Sequence, residues 1–309
     1  MPKLPAGRVA LVGVCVATII GLAGACGVRP TAAVGEPVIV PPVTPPVIVS
    51  SPAPVPTQST TAPPPPGTTQ PAGSQPIDGK RLVAAAHNAE ANTTLGAVVF
   101  DRVAGTELLS VEADRQFHSA SLVKLLIAID ALHQGASTAQ RKNITRMLSM
   151  SDDTIASAMW VDAGGPRLVT RAARLIGLRG TEPPEVYGRW GETTLTAHDM
   201  VLVYQYVMNG LPPDDHILVV DALAKATEYG ADDFRQYFGI PDGLSAQWAI
   251  KQGWGNNDHT MVLHSTGLVG PQWRYIVVLL TEHPLGSGWK TCARSVTAAA
   301  EALNQQLSS

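Results

Sequence analysis

Ser121-Leu122-Val123-Lys124-Leu125-Leu126-Ile127-Ala128-Ile129-Asp130-Ala131-Leu132 is the stretch on which the reading of this chain turns. Leu122 to Leu132 is an apolar run that predicts a helix. Three residues apart on a helix, the Ser121 hydroxyl and the Lys124 amine share one face, about one turn from each other. The hydroxyl lies at the positive end of the helix, while the amine is sunk among Leu122, Val123, Leu125, Leu126 and Ile127. Desolvation there lowers a lysine's pKa and lets it take a proton from its neighbour. An N-cap serine followed by an ordinary lysine gives the same four letters, so the meaning depends on what accompanies them.

Upstream, the chain begins with Lys3 and Arg8 and then an uncharged run from Val9 to Val28. A positive segment followed by an apolar one is the layout of an export signal. Cys26 follows Leu22-Ala23-Gly24-Ala25, small residues that approximate a lipoprotein processing site. Three outcomes remain open for residues 1–28: lipidation at Cys26, an uncleaved membrane anchor, or simple secretion. Each places the folded part outside the cytoplasmic membrane, attached to its outer face in the first two cases. Residues 29–76 hold 15 of the chain's 25 prolines, including Pro63 to Pro66. Such a stretch builds no core and predicts a disordered, polyproline-rich linker with a reach of about 100 Å.

Residues 77–309 are enough for one large domain or two closely packed lobes. Net charge is -3 with no basic stripe, which speaks against nucleic-acid binding. Of three cysteines, only Cys292 lies beyond the leader, so no disulfide framework is expected. The histidines are scattered without metal-ligand spacing, so neither a metal nor another cofactor is expected.

The patterns read as a helix at about 79–91, strands at 96–101 and 107–112, then the Ser121 helix. Helical patterns follow at about 138–150, 152–162, 166–177, 197–209 and 215–229, with a Gly-, Pro- and Glu-rich loop at 177–196. Strands at 246–252, 261–268 and 273–282 and a closing helix at 287–306 complete the chain. The class expected is α+β: an antiparallel sheet lobe built from terminal segments, plus a helical lobe. Clefts commonly form between such lobes.

Two further motifs fall in this order. Ser151-Asp152-Asp153 lies 30 residues after Ser121, at the junction of two predicted helices, and Lys251-Gln252-Gly253 ends a predicted strand. The three together resemble the penicillin-recognising serine enzymes, the class A β-lactamases and their D,D-peptidase relatives, with Ser-x-x-Lys, Ser-Asp-Asn and Lys-Thr-Gly. Phe117 before the first motif and Thr193-Thr194-Leu195-Thr196 after the loop extend the resemblance over the folded region. The chain also looks similar to actinobacterial exported lipoproteins carrying a β-lactamase-like domain.

The resemblance implies roles. Ser121 would attack a carbonyl, Lys124 would accept its proton, Ser151 would pass a proton to the leaving nitrogen, and Lys251 would hold Ser151 and attract an anionic substrate end. The backbone N–H groups of Ser121 and Trp254 would form an oxyanion hole. Asp153, Gln252 and Gly253 would contact substrate, and Arg189, beside Trp190, is the candidate to hold a carboxylate.

Departures from the family pattern matter too. Asp153 stands where the family has asparagine, and an ionised carboxylate only accepts hydrogen bonds. Near Lys124 it would favour the charged amine. Gln252 replaces a threonine. No Glu-x-x-Leu-Asn occurs in the 177–196 loop, where Glu182 and Glu185 are the acids considered for activating a deacylating water. Asp258 and His259 read as surface residues. Two functions follow: an exported serine acyl-enzyme hydrolase or acyltransferase acting on a cell-envelope peptide, amide, ester or β-lactam, or a catalytically silent envelope protein that binds a peptidoglycan fragment or a protein partner.

Overall fold

A computed structural model gives the structure of the protein and describes residues 76–307. The expectations for the leader, Cys26 and the proline-rich linker fall outside the described residues.

The strands are apolar without strict alternation because both faces of the sheet are covered. Strand β1 (Thr94–Asp101) pairs antiparallel with β2 (Thr106–Val111), and β5 (Trp248–Asn256), β6 (Thr260–Val269) and β7 (Tyr275–Pro284) come from the other end of the chain. The sheet order is β2-β1-β7-β6-β5, and β1 joins the two groups with Val98 opposite Val278. Successive side chains on a strand point to opposite faces. Ala97, Val99, Val277 and Leu279 therefore meet α1 (Gly79–Ala89) and α9 (Trp289–Leu307). Val98, Ile276, Val278 and Leu280 face the helical lobe.

That lobe comprises α2 (Val123–His133), α3 (Thr138–Ser149), α4 (Asp153–Asp162), α5 (Pro166–Ile176), α6 (Ala197–Asn209) and α7 (Pro213–Ala224). Local chemistry sets the ends. Ser137 and Gln140 form a reciprocal capping box on α3, the Asp152 carboxylate accepts from the Ile155 N–H at 3.1 Å to cap α4, and Gly177 leaves α5 at φ 86°. Helix α2 is the exception to amphipathicity: every residue from Val123 to Asp130 is buried, so it is the central helix of the lobe.

Three departures from the sequence reading bear on function. Helix α7 ends at Ala224, not near 229, because the following segment leaves the helix to bond the α3–α4 junction. There the Thr227 N–H donates to Ser149 O at 3.0 Å and the Ala231 N–H to Met150 O at 2.8 Å. Short strands β3 (Phe117–His118) and β4 (Thr194–Leu195) pair and tie the segment before Ser121 to the loop. Strand β5 continues past Gly253 to Asn256, whereas the sequence suggests a turn from Gly253. A four-residue helix, α8 (Ile240–Gly243), precedes β5.

His264 on β6 fixes the β3 segment from below. Its Nδ1 accepts from the Thr281 N–H at 3.2 Å, so Nε2 carries the proton and donates to His118 O at 2.7 Å. Burial drops its pKa from 6.5 to about 4. The unfolded chain thus takes up a proton near pH 6.5 that the folded chain refuses until about pH 4, and stability is lost as pH falls through that window, on the order of 3 kcal/mol. Thermal unfolding at pH 7.5 and pH 5 should show a lower midpoint at pH 5, and a smaller pH effect in His264→Gln. An equal pH effect in both would place the sensitivity elsewhere.

Candidate active site

Ser121 lies in a 3-10 turn, Ala120–Leu122, that runs directly into α2, so its backbone N–H stands at the positive end of that helix. Lys124, one turn on, is completely buried, and its Nζ lies 2.8 Å from Ser121 Oγ. The α3–α4 junction brings Ser151 over the same amine, with its backbone oxygen 2.6 Å and its hydroxyl 3.1 Å from Nζ. From β5, the Lys251 Nζ donates to Ser151 Oγ at 2.9 Å and to Gln252 O at 2.8 Å. Ser121, Lys124, Ser151 and Lys251 are thus one hydrogen-bonded chain, drawn from three separate parts of the sequence.

Two non-glycine residues there adopt left-handed backbone: Ala120 at φ 45° and Ser151 at φ 54°. Such conformations cost about 1–3 kcal/mol each and persist where surrounding structure enforces them. Glycines let β5 close on the turn. A Cβ on Gly253 would sit 3.0 Å from Ser119 O and 3.2 Å from the Leu122 side chain. The strand therefore lies beside the nucleophile segment, with Trp254 next in line.

Lys124 is a weaker base here than an ordinary lysine. Burial lowers its pKa, and the attraction of Asp153, Asp232 and Asp152 offsets this only in part. Lys251 is pushed well below the lysine range, first by burial and then by repulsion from Lys124. The Lys124 amine is also hydrogen-bonded to Asp153 Oδ1, the partner its sequence position predicts. Its closeness opposes desolvation without overcoming it.

Above this chain opens a cleft of about 440 Å³. Ser121, Asp153, Arg189, Trp190 and Trp254 line it, and the two lysines lie beneath. The Trp190 ring lies 5.1 Å from Lys124 Nζ and the Trp254 ring 5.9 Å from Lys251 Nζ. The Arg189 guanidinium pairs with Glu192 at 2.8 Å.

Some expected residues are placed otherwise. The Gln252 side chain does not reach the cleft: it is buried on the other face of β5, donating to Gln236 O at 3.0 Å and Phe238 O at 2.6 Å. Neighbours on a strand face opposite ways, so with Lys251 turned inward Gln252 turns out. Gly253 acts through its missing side chain. Glu182 and Glu185 do not line the cleft, and Glu182 is held by backbone pairing with Thr194. Glu192 lines it instead, and so does Asp258, which the sequence suggests is ordinary surface. His118 and Asn256 are further lining residues without a sequence signal of their own. Asp232, also missed, accepts from the Trp254 indole N–H at 3.0 Å and carries no motif. Among the described residues no helix is long and apolar enough to cross a membrane.

No protein-family model matches the sequence. Over 202 residues the chain is 39% identical to the protein named "Putative lipoprotein LppW" in Mycobacterium tuberculosis (strain ATCC 25618 / H37Rv) and in Mycobacterium bovis (strain ATCC BAA-935 / AF2122/97). The match covers 62% of this chain, which spans 64% of the length of those relatives. Among solved structures, PBP-A superposes with a TM-score of 0.58 at 18% identity, over 75% of this chain and 97% of PBP-A. An ancestral class A β-lactamase superposes at 0.60 with 16% identity, over 73% and 98% of the two chains. A β-lactamase from Sphaerobacter thermophilus DSM 20745 does so at 0.58 with 20% identity, over 75% and 98%. The described residues have a β-lactamase-like fold: a five-stranded antiparallel sheet drawn from both chain ends, with a helical lobe on one face.

Proposed function

We propose that this protein is an exported serine acyl-enzyme of the penicillin-recognising type, acting on an amide, ester or β-lactam of the cell envelope. The observation that carries the proposal is the unbroken chain Ser121–Lys124–Ser151–Lys251 at the floor of an open cleft. In the reaction, neutral Lys124 takes the Ser121 proton as Oγ bonds the carbonyl carbon. The backbone N–H groups of Ser121 and Trp254 receive the oxyanion, and the leaving nitrogen gains its proton through Ser151. Lys251 holds the Ser151 hydroxyl in place. Glu182 and Glu185 lie outside the cleft, Glu192 is engaged by Arg189 and Asp153 by Lys124, so among the described residues neither loop acid considered for activating a deacylating water is in place, which supports a long-lived acyl-enzyme. Attachment to the envelope through Cys26 draws support from the name of the mycobacterial relatives.

Incubating the purified protein with benzylpenicillin and, separately, a fluorophosphonate tests this. A mass adduct mapped to the peptide that bears Ser121 is the expected result; a folded protein with no adduct from either probe overturns it.

Asp153 limits the rate in this mechanism, since its charge favours ammonium at Lys124. Asp153→Asn is expected to raise acylation by β-lactams that carry no amine about tenfold and to move the acidic limb of the pH–rate profile to lower pH. An unchanged limb would mean that Asp153 does not bias the lysine. One observation favours a silent receptor instead, the direct Lys124–Asp153 ion pair, and the same pH profile separates the two.

A further inference from the structure

Asp153 is bound on one side only. Its Oδ1 holds Lys124, its side chain is 61% exposed, and it lines the cleft beside Ser121. The second carboxylate oxygen has no hydrogen-bond partner among the described residues. A carboxylate oxygen only accepts, so a ligand group seated there must donate. A carbonyl at this point would meet lone pairs.

The surroundings narrow the donor further. Asp258 also lines the cleft and Asp232 accepts from the Trp254 indole N–H, while Arg189 is already engaged by Glu192 and Arg146 by Asp152. Two indole rings, Trp190 and Trp254, wall the space and both already sit over amine nitrogens. An aromatic wall with carboxylates nearby suits a cation. Among the described residues, the cationic groups near Asp153 are Arg189, which shares the cleft and is paired with Glu192, and Lys124 on α2 and Lys251 on β5, both buried below the floor with their pKa lowered by that burial.

We infer that the cleft selects acyl substrates whose acyl side carries a protonated amine, and that this amine binds the free oxygen of Asp153, so recognition and activation of the nucleophile are one event. The activation half rests on the acyl-enzyme proposal above. A bound ammonium neutralises Asp153 and withdraws the charge that supports a proton on Lys124. Ser121 Oγ then bonds the carbonyl carbon, its proton passes to Lys124 Nζ, the carbon–nitrogen bond breaks, and the departing nitrogen takes that proton through the Ser151 hydroxyl. The docked amine keeps its own protons throughout.

Two penicillins that differ by one amine provide the probes: ampicillin, with a protonated amine on the acyl side chain near pH 6, and benzylpenicillin, without it. Binding is read on full-length Ser121→Ala by tryptophan fluorescence, and acylation on the full-length wild type by mass. At least tenfold tighter binding of ampicillin is expected, collapsing to within about twofold in Ser121→Ala/Asp153→Asn. Acylation of the wild type should favour ampicillin by a similar factor. Equal binding of the two, binding of neither at millimolar concentration, or a preference that survives Asp153→Asn overturns the inference. A binding preference without any adduct overturns the acyl-enzyme proposal and the coupling, while leaving amine recognition standing.

Discussion

Lys124→Met should lower the rate of acylation at Ser121 by about a thousandfold, with the fold retained. A positioned general base contributes about 10²–10⁴ to such a step, and Lys124 is the one amine bonded to the Ser121 hydroxyl. Methionine fills a similar volume among Leu122, Val123, Leu125 and Leu126, so the apolar packing of α2 survives. Asp153 is exposed and can turn to water when its partner is gone. Rates from quenched-flow or time-resolved mass measurements decide the matter, with the thermal midpoint as a check on folding. Acylation within tenfold of wild type would remove Lys124 from the reaction.

Ser151→Ala should lower acylation about a hundredfold, and Ser151→Gly by the same factor. The two variants separate chemistry from backbone. Ser151 sits at φ 54°, where glycine is comfortable and alanine is as strained as serine. Glycine should therefore preserve or raise the unfolding midpoint while still lacking the hydroxyl that joins Lys124 to Lys251. If Ser151→Gly acylates at the wild-type rate, the hydroxyl carries no proton and Ser151 serves only to shape the α3–α4 junction.

Much of the fold is written locally. Helix α2 is legible as a continuous apolar run, and α3, α4 and α6 start within about a residue of the expected positions, where Ser137, Asp152 and Thr196 cap them. Strands β1, β6 and β7 are legible as apolar runs. Strands β3 and β4 are not, since two residues each have no period to detect and exist only because Phe117 and Leu195 meet. The long β5 escapes for another reason: Gly253 and Gly255 read as turn residues, whereas here they let the strand pass close to Ser119 and Ala120.

The site divides the same way. Helical spacing puts Ser121 and Lys124 on one face, but the pair takes its meaning, together with Ser151 and Lys251, from the order of the motifs. The outward turn of Gln252 was available in principle, because a strand cannot point two successive side chains into one cleft. Asp232 was not: it enters through the loop that leaves α7 and bonds Ser149 and Met150, a path set by tertiary contacts. Glu192 and Asp258 reach the cleft by the same kind of long-range placement.

Lysines labelled with ¹³C at the ε-carbon, followed by NMR from pH 5 to 11 and assigned with Lys124→Met, measure the quantity on which the chemistry depends. A Lys124 resonance that titrates below the ordinary lysine value of 10.5, and lower still in Asp153→Asn, is expected. A Lys124 that stays ammonium up to or beyond that value would contradict the proposed base and leave the cleft as a receptor without a reaction.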